Sequence, residues 1–137
     1  MYSKIVVGTD GSGSATRAVA RAVEVARSAG AELLVVHAHP DANVGYGLSA
    51  EEYPEIARGK EILSEAESRH AADIAVRTLL RNGDAAESLL DVAEEEGADL
   101  IIVGNKGMAG ARRFLVGSVP NRVSHHATCD VLIVHTT

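Results

Sequence analysis

Gly104-Asn105-Lys106-Gly107, nine further residues and then Gly117-Ser118 form the segment of this chain best equipped for chemistry. Gly104 and Gly107 let the backbone turn sharply and approach a ligand closely. Gly117-Ser118 opens a helix, whose first N–H groups lack partners and whose positive dipole end favours an anion. Two glycine corners around a loop therefore make a backbone cradle for phosphates. Charge supports the same reading. Between Leu100 and Cys129 stand Lys106, Arg112, Arg113 and Arg122 with no Asp or Glu, where an even spread of the 19 acids would place about four. The plain alternative is a basic loop that is solvated or pairs with a neighbouring acidic helix.

A second segment, Gly8-Thr9-Asp10-Gly11-Ser12-Gly13-Ser14, leads from an apolar run into a helix. It is neither G-x-G-x-x-G nor G-x-x-x-x-G-K-[ST], so the usual dinucleotide and P-loop readings lack support. Asp10 has two readings. It caps the following helix, or it hydrogen-bonds a ribose hydroxyl or a metal-bound phosphate. His37 and His39 alternate along a strand and can share one face, but no Cys or carboxylate cluster completes a metal site. His125 and His126 are adjacent on a helix and diverge. Cys129 reads as a packed small residue, and Tyr2, Tyr46, Tyr53 and Phe114 are too scattered to stack bases. Phe114 is expected to anchor the 108–116 loop.

The elements that must position these residues follow from periodicity. Short apolar runs at Lys4–Val7, Glu32–Val36, Ile74–Leu80, Leu100–Val103 and Val131–Val134 predict strands. Between them, Ala15, Ala18, Val19, Ala22 and Ala26 repeat at helical spacing up to a stop at Gly30. A second helix is expected from near Ser49, where Ser49 and Glu52 have capping-box spacing, to about Ala72. A third is framed by Asp84, Glu87 and Gly97, and a fourth begins near Ser118 or Val119 with Pro120 in its first turn. Strands alternating with helices predict one parallel α/β domain over residues 1–137 with right-handed crossovers. In such a sheet ligands bind beyond the carboxyl ends of the strands, here after Val7, Val36 and Val103.

Composition sets the outer limits. The chain has 137 residues, 46% of them hydrophobic but only 3% aromatic, so its core must be Ala, Val, Leu and Ile. A net charge of −6 argues against nucleic acid or an anionic membrane as partner. Cys129 is the lone cysteine, Met1-Tyr2-Ser3-Lys4 runs straight into Ile5 without a signal-peptide core, and no apolar run approaches a membrane span. A cytoplasmic location is expected.

Gly104-x-x-Gly107-(nine residues)-Gly117-Ser118 resembles the G-2x-G-9x-G-[ST] signature of ATP-binding universal stress proteins. Ile5-Val6-Val7-Gly8-Thr9-Asp10-Gly11-Ser12, Asp99–Gly104 and Asp130–Val134 are similar to that family too, and the chain's close looks like that of actinobacterial members. The likeness spans the chain and is weakest from His39 to Ala72. It implies an adenine nucleotide alpha-hydrolase-like fold with strand order 3-2-1-4-5 and ATP, with or without Mg²⁺, over the carboxyl edges. It also implies a site at Gly8, Thr9 and Asp10, with Asp10 toward the ribose and the Ala38 backbone at the adenine edge. Gly104 would lie near the ribose, Lys106, Gly107, Gly117, Ser118 and Val119 would line the phosphates, and Val103, Arg112, Arg113 and Pro120 complete the expected nucleotide site. The last strand, 131–137, would pair with that of a second copy. Asn105 departs from the commoner Ser, and Pro120 removes a donor from the helix mouth.

Several functions fit such a site: a regulatory ATP binder, a receptor for cyclic AMP, a slow ATPase, or an interaction module with a vestigial site. Phosphoryl transfer needs an oriented nucleophile and positioned charge. No base is evident near the phosphate loop, so no catalytic residue is assigned and hydrolysis is expected to be incidental. A phospho-receiver domain would need a Lys after the last strand, where His135-Thr136-Thr137 stands.

Overall fold

The computed structural model describes residues 1–39, 54–106 and 118–136. Its elements run β1 (Lys4–Gly8), α1 (Gly13–Ala29), β2 (Glu32–His39), α2 (Pro54–His70), β3 (Val76–Asn82), α3 (Ala85–Glu96), β4 (Leu100–Gly104), α4 (Ser118–His126) and β5 (Asp130–Val134). All five strands are parallel, in the order β3-β2-β1-β4-β5.

Strand alternation divides the core in two. Ile5, Val7, Leu33, Val35 and Ile102 face α1 and α2, meeting Val19, Ala22, Val23 and Leu63. Val6, Leu34, Val36, Ile101 and Val103 face α3 and α4, meeting Leu89, Val92, Ala93 and Val123. The central strands are apolar on both faces because helices cover both. Each fully buried Val, Leu or Ile contributes about 1.5–3 kcal/mol.

The helix ends follow their side chains. Gly30 (φ 68°) and Gly97 (φ 67°) end α1 and α3 in the left-handed conformation, each returning its N–H to the last carbonyls. Asp84 caps α3 by accepting from the Glu87 N–H at 2.9 Å. At α1 the cap is Ser12, whose Oγ accepts from the Ala15 N–H at 3.1 Å. Asp10 sits just outside, accepting from the Ser12 N–H at 2.9 Å, so it braces the approach to the helix and does not cap it.

Boundaries differ from expectation by one residue at β1, β4 and β5 and by more at β2, β3 and α2. β2 continues past Val36 through His37, Ala38 and His39, which pair with Leu80, Arg81 and Asn82. β3 begins at Val76 and not Ile74, because the Asp73 and Ile74 N–H groups still bond the His70 carbonyl. Helix α2 runs from Pro54 to His70, two residues short of Ala72, while Ser49 and Glu52 lie outside the described residues.

Asp84 yields a stability prediction. Its other oxygen accepts from Arg122 Nη1 at 2.9 Å. The Glu87 backbone hydrogen bond, with Arg122 adding to it, holds its carboxyl below the usual range. A depressed folded value means that the contribution is present above the unfolded value of about 3.9 and is lost as pH falls through the lower folded value. Asp84→Ala is expected to cost about 1 kcal/mol at neutral pH. In urea unfolding the gap from wild type should narrow at about pH 3, and a gap of equal size there would discount the carboxylate's charge.

Candidate functional site

β1 and β4 end side by side, and the helices that follow them, α1 and α4, cover opposite faces of the sheet. A cleft opens there, with about 550 Å³ of empty space including its solvent-facing mouth. Gly8, Thr9 and Asp10 floor it from the end of β1, and Ala38 joins them from β2. Val103 and Gly104 supply the β4 side, and Val119 and Pro120 the start of α4. Eight of the fourteen residues expected from the sequence thus converge. Ser118 opens α4 next to Val119, and Lys106 is exposed just past the Gly104 corner. Gly107, Arg112, Arg113 and Gly117 lie outside the described residues.

The turn after β1 is held by hydrogen bonds at Thr9. The Thr9 N–H donates to the Val36 carbonyl at 2.9 Å. The Thr9 carbonyl accepts from His37 Nδ1 at 2.8 Å, so that ring nitrogen carries the proton, because a carbonyl has none to give. His37 therefore serves the loop between β1 and α1 as a buried strut, and its ring is fixed in a structural role. Gly59 of α2 makes room for it: a Cβ there would stand 2.7 Å from His37 Cδ2. Gly11 has φ +81° and would meet Ile62 at 2.9 Å, so the turn into α1 requires glycine.

Backbone polarity at Ala38 follows from strand geometry. In a parallel strand, alternate residues direct their N–H and C=O to opposite neighbours. The Leu33 N–H bonds the Ala75 carbonyl on the β3 side, while the Val36 carbonyl takes the Thr9 N–H on the β1 side. Ala38 shares the parity of Val36 and so directs its N–H and C=O toward β1, which has ended at Gly8. The cleft thereby gains an adjacent donor and acceptor beside an apolar slot formed by Val36, Leu89, Val103 and Pro120.

Sequence reasoning missed Ser12, Ser14 and Ala15 of the α1 entry, and Ala85 and Leu89 of α3, all of which line the cleft. Ala85 and Leu89 are one helical turn apart, a spacing the sequence contains but which the strand-end rule does not single out. Gly8 admits Leu89, since a Cβ on Gly8 would lie 3.0 Å from its methyl. Of the basic patch, Arg122 pairs with Asp84, as the plain reading allowed, and faces the α3 cap. Cys129 is partly buried, and burial pushes its thiol above its ordinary value, the reverse of what a nucleophile needs.

A five-stranded parallel sheet with this order, helices on both faces and a cleft at its switch point defines a doubly wound α/β ligand-binding class. Residues 1–135 match the model of the universal stress protein family, and the chain belongs to that family. It is 41% identical over 146 residues to the universal stress protein Rv1636 of Mycobacterium tuberculosis, covering 99% of this chain and 98% of that protein. A universal stress protein solved in complex with cyclic AMP is 37% identical with a TM-score of 0.78, covering 99% and 98% of the two chains. One from Archaeoglobus fulgidus in complex with dAMP is 28% identical with a TM-score of 0.72, covering 96% and 97%.

Proposed function

We propose that the chain is an adenine-nucleotide-binding regulatory protein whose resident ligand is ATP. The observation that carries this reading is the Ala38 donor–acceptor edge beside an apolar slot, which matches the amino and ring-nitrogen edge of adenine. Asp10 faces the same cleft as an acceptor for ribose, and the start of α4, whose first N–H groups have no partner within the helix, faces it for phosphate. Relatives solved with cyclic AMP and dAMP support the adenine preference. Mg²⁺ would arrive on the phosphates, with Asp10 as the carboxylate at hand. The role is binding, with hydrolysis at most slow. The cytoplasm is the proposed compartment; among the described residues no helix is long and apolar enough to cross a membrane.

Cyclic AMP is the second reading, favoured by the cyclic AMP complex of a relative and by Pro120, which deprives the α4 mouth of one donor. Calorimetric titration separates the two. Only ATP carries a polyphosphate, the group that the family likeness assigns to Lys106, Arg112 and Arg113. A charge-assisted hydrogen bond contributes about 1.5–3 kcal/mol when shielded and much less when exposed. Arg112→Ala with Arg113→Ala should weaken ATP about tenfold or more and leave cyclic AMP nearly unchanged. Cyclic AMP binding tighter than ATP, indifferent to both arginines, would install the second reading.

A further inference from the structure

We infer that Ser14 fixes the hydrogen-bond polarity of one wall of the cleft, accepting from a ligand hydroxyl and disfavouring an unprotonated phosphate oxygen. The inference rests on the nucleotide reading of the cleft and says which part of the ligand meets α1. Its basis is a short chain of bonds whose direction has one solution. The Thr136 backbone N–H lies 2.9 Å from the Asn105 carboxamide. A backbone N–H can only donate, so the carboxamide presents its oxygen there, because the opposite flip would set two donors face to face. That oxygen can only accept. The Thr136 hydroxyl, also 2.9 Å from it, therefore spends its single proton on Asn105. Ser14 Oγ lies 2.6 Å from Thr136 Oγ1 and must supply the proton for that contact. With its proton committed, Ser14 has only lone pairs left, and Ser14 lines the cleft.

Thr136 and Asn105 are held by further bonds, so the Thr136 hydroxyl has little freedom to reverse. Thr136 is 3% exposed, and its carbonyl accepts from Arg17 Nη1 at 2.7 Å. The Asn105 N–H donates to the Val134 carbonyl at 2.9 Å. Gly104 completes the corner, since a Cβ there would press on Thr136 Cγ2 at 3.3 Å. Asp10 adds a carboxylate to the same cleft. Ser14 Oγ and the Asp10 carboxylate thus set two acceptors on the α1 side, matched by the hydroxyls of a sugar, while the start of α4 lines the same cleft for the anion. Cyclic AMP keeps its 2′-hydroxyl, so either resident nucleotide can meet this wall.

The test is a titration of AMP, 2′-deoxy-AMP and 3′-deoxy-AMP into wild type, Ser14→Ala, Thr136→Val and Thr136→Ser. Wild type should bind at least one deoxy form about fivefold to tenfold more weakly than AMP. Ser14→Ala should erase that difference for one of the two hydroxyls, Asp10 serving the other. Thr136→Val, which releases the Ser14 proton, should shrink the same difference, and Thr136→Ser should restore it. A deoxy preference undiminished in Ser14→Ala overturns the inference, as does an equal weakening of all three ligands, which would mark a phosphate contact. Failure of wild type to bind any adenine nucleotide would instead defeat the proposed function. In that event the polarity is judged on the free protein by nuclear magnetic resonance, where the Thr136 hydroxyl proton should couple across its hydrogen bond to the Asn105 carboxamide carbon. Loss of that coupling overturns the inference.

Discussion

Gly117→Asp is expected to abolish adenine-nucleotide binding while the fold survives. Gly117 immediately precedes Ser118, the first residue of α4. A carboxylate beside a helix N-terminus suits the helix itself, since negative charge there is stabilising. The same charge occupies the place an incoming phosphate would take and repels it. At about 4 Å and an effective dielectric near 20, like charges cost roughly 4 kcal/mol before salt screening, enough for a loss of about a hundredfold or more. Circular dichroism should be unchanged while calorimetry shows no heat with ATP or cyclic AMP. Unchanged affinity in a folded variant would remove the mouth of α4 from the site.

The second large effect concerns β5. The two sheet edges differ in kind. β3 carries Arg77, paired with Glu96 and Glu32, and Arg81, paired with Glu95. β5 reads Asp130-Val-Leu-Ile-Val, with Ile133 37% exposed and no basic residue to blunt it. A bare apolar edge invites pairing, and a second copy related by two-fold symmetry would cover it without forming filaments. The expected state at micromolar concentration is a homodimer joined through β5. Deleting 130–137 strips the outer ladder from β4 and removes Val134 and Thr136, which are 6% and 3% exposed. The apolar loss alone is several kcal/mol against a typical total of about 5–15, so the truncated chain should be insoluble. Ile133→Lys separates pairing from folding: light scattering should report a folded monomer. A monomeric wild type would sink the edge-pairing proposal.

Much of this architecture was written in local signals. Gly30, Asp84 and Gly97 end or begin helices through their own backbone or side-chain bonds, so their spacing alone marked the boundaries. The strand ends were harder for a physical reason. His37 and His39 are polar, which ends an apolar run on paper, yet both are buried, and His37 is reconciled to burial by the Thr9 carbonyl 28 residues away in sequence. Arg81 and Asn82 continue an edge strand that needs no apolar residue facing solvent. Among Asp10, Ser12 and Ser14, spacing could not say which caps α1, because all three carry suitable oxygens. At the site, the glycines and Asp10 were legible because turns and strand ends constrain them. Ser14 and Thr136 were not, since their meaning lies in contact with each other across 122 residues. The family likeness, carried by the Gly104–Ser118 spacing, is matched over residues 1–135.

The strand order also has a kinetic consequence. β1 meets β2 at Lys4↔Glu32, a short loop, but meets β4 at Ile5↔Leu100, after most of the chain has been made. Closing the longer loop costs about 1 kcal/mol more in chain entropy, so the two halves of the sheet join late on the way to the native state. The cleft straddles that seam, with Gly8 and Ala38 on one bank and Val103 and Val119 on the other. A ligand seated there grips only a chain whose halves have already met. It would act as a brake on unfolding and leave the rate of folding to the sequence.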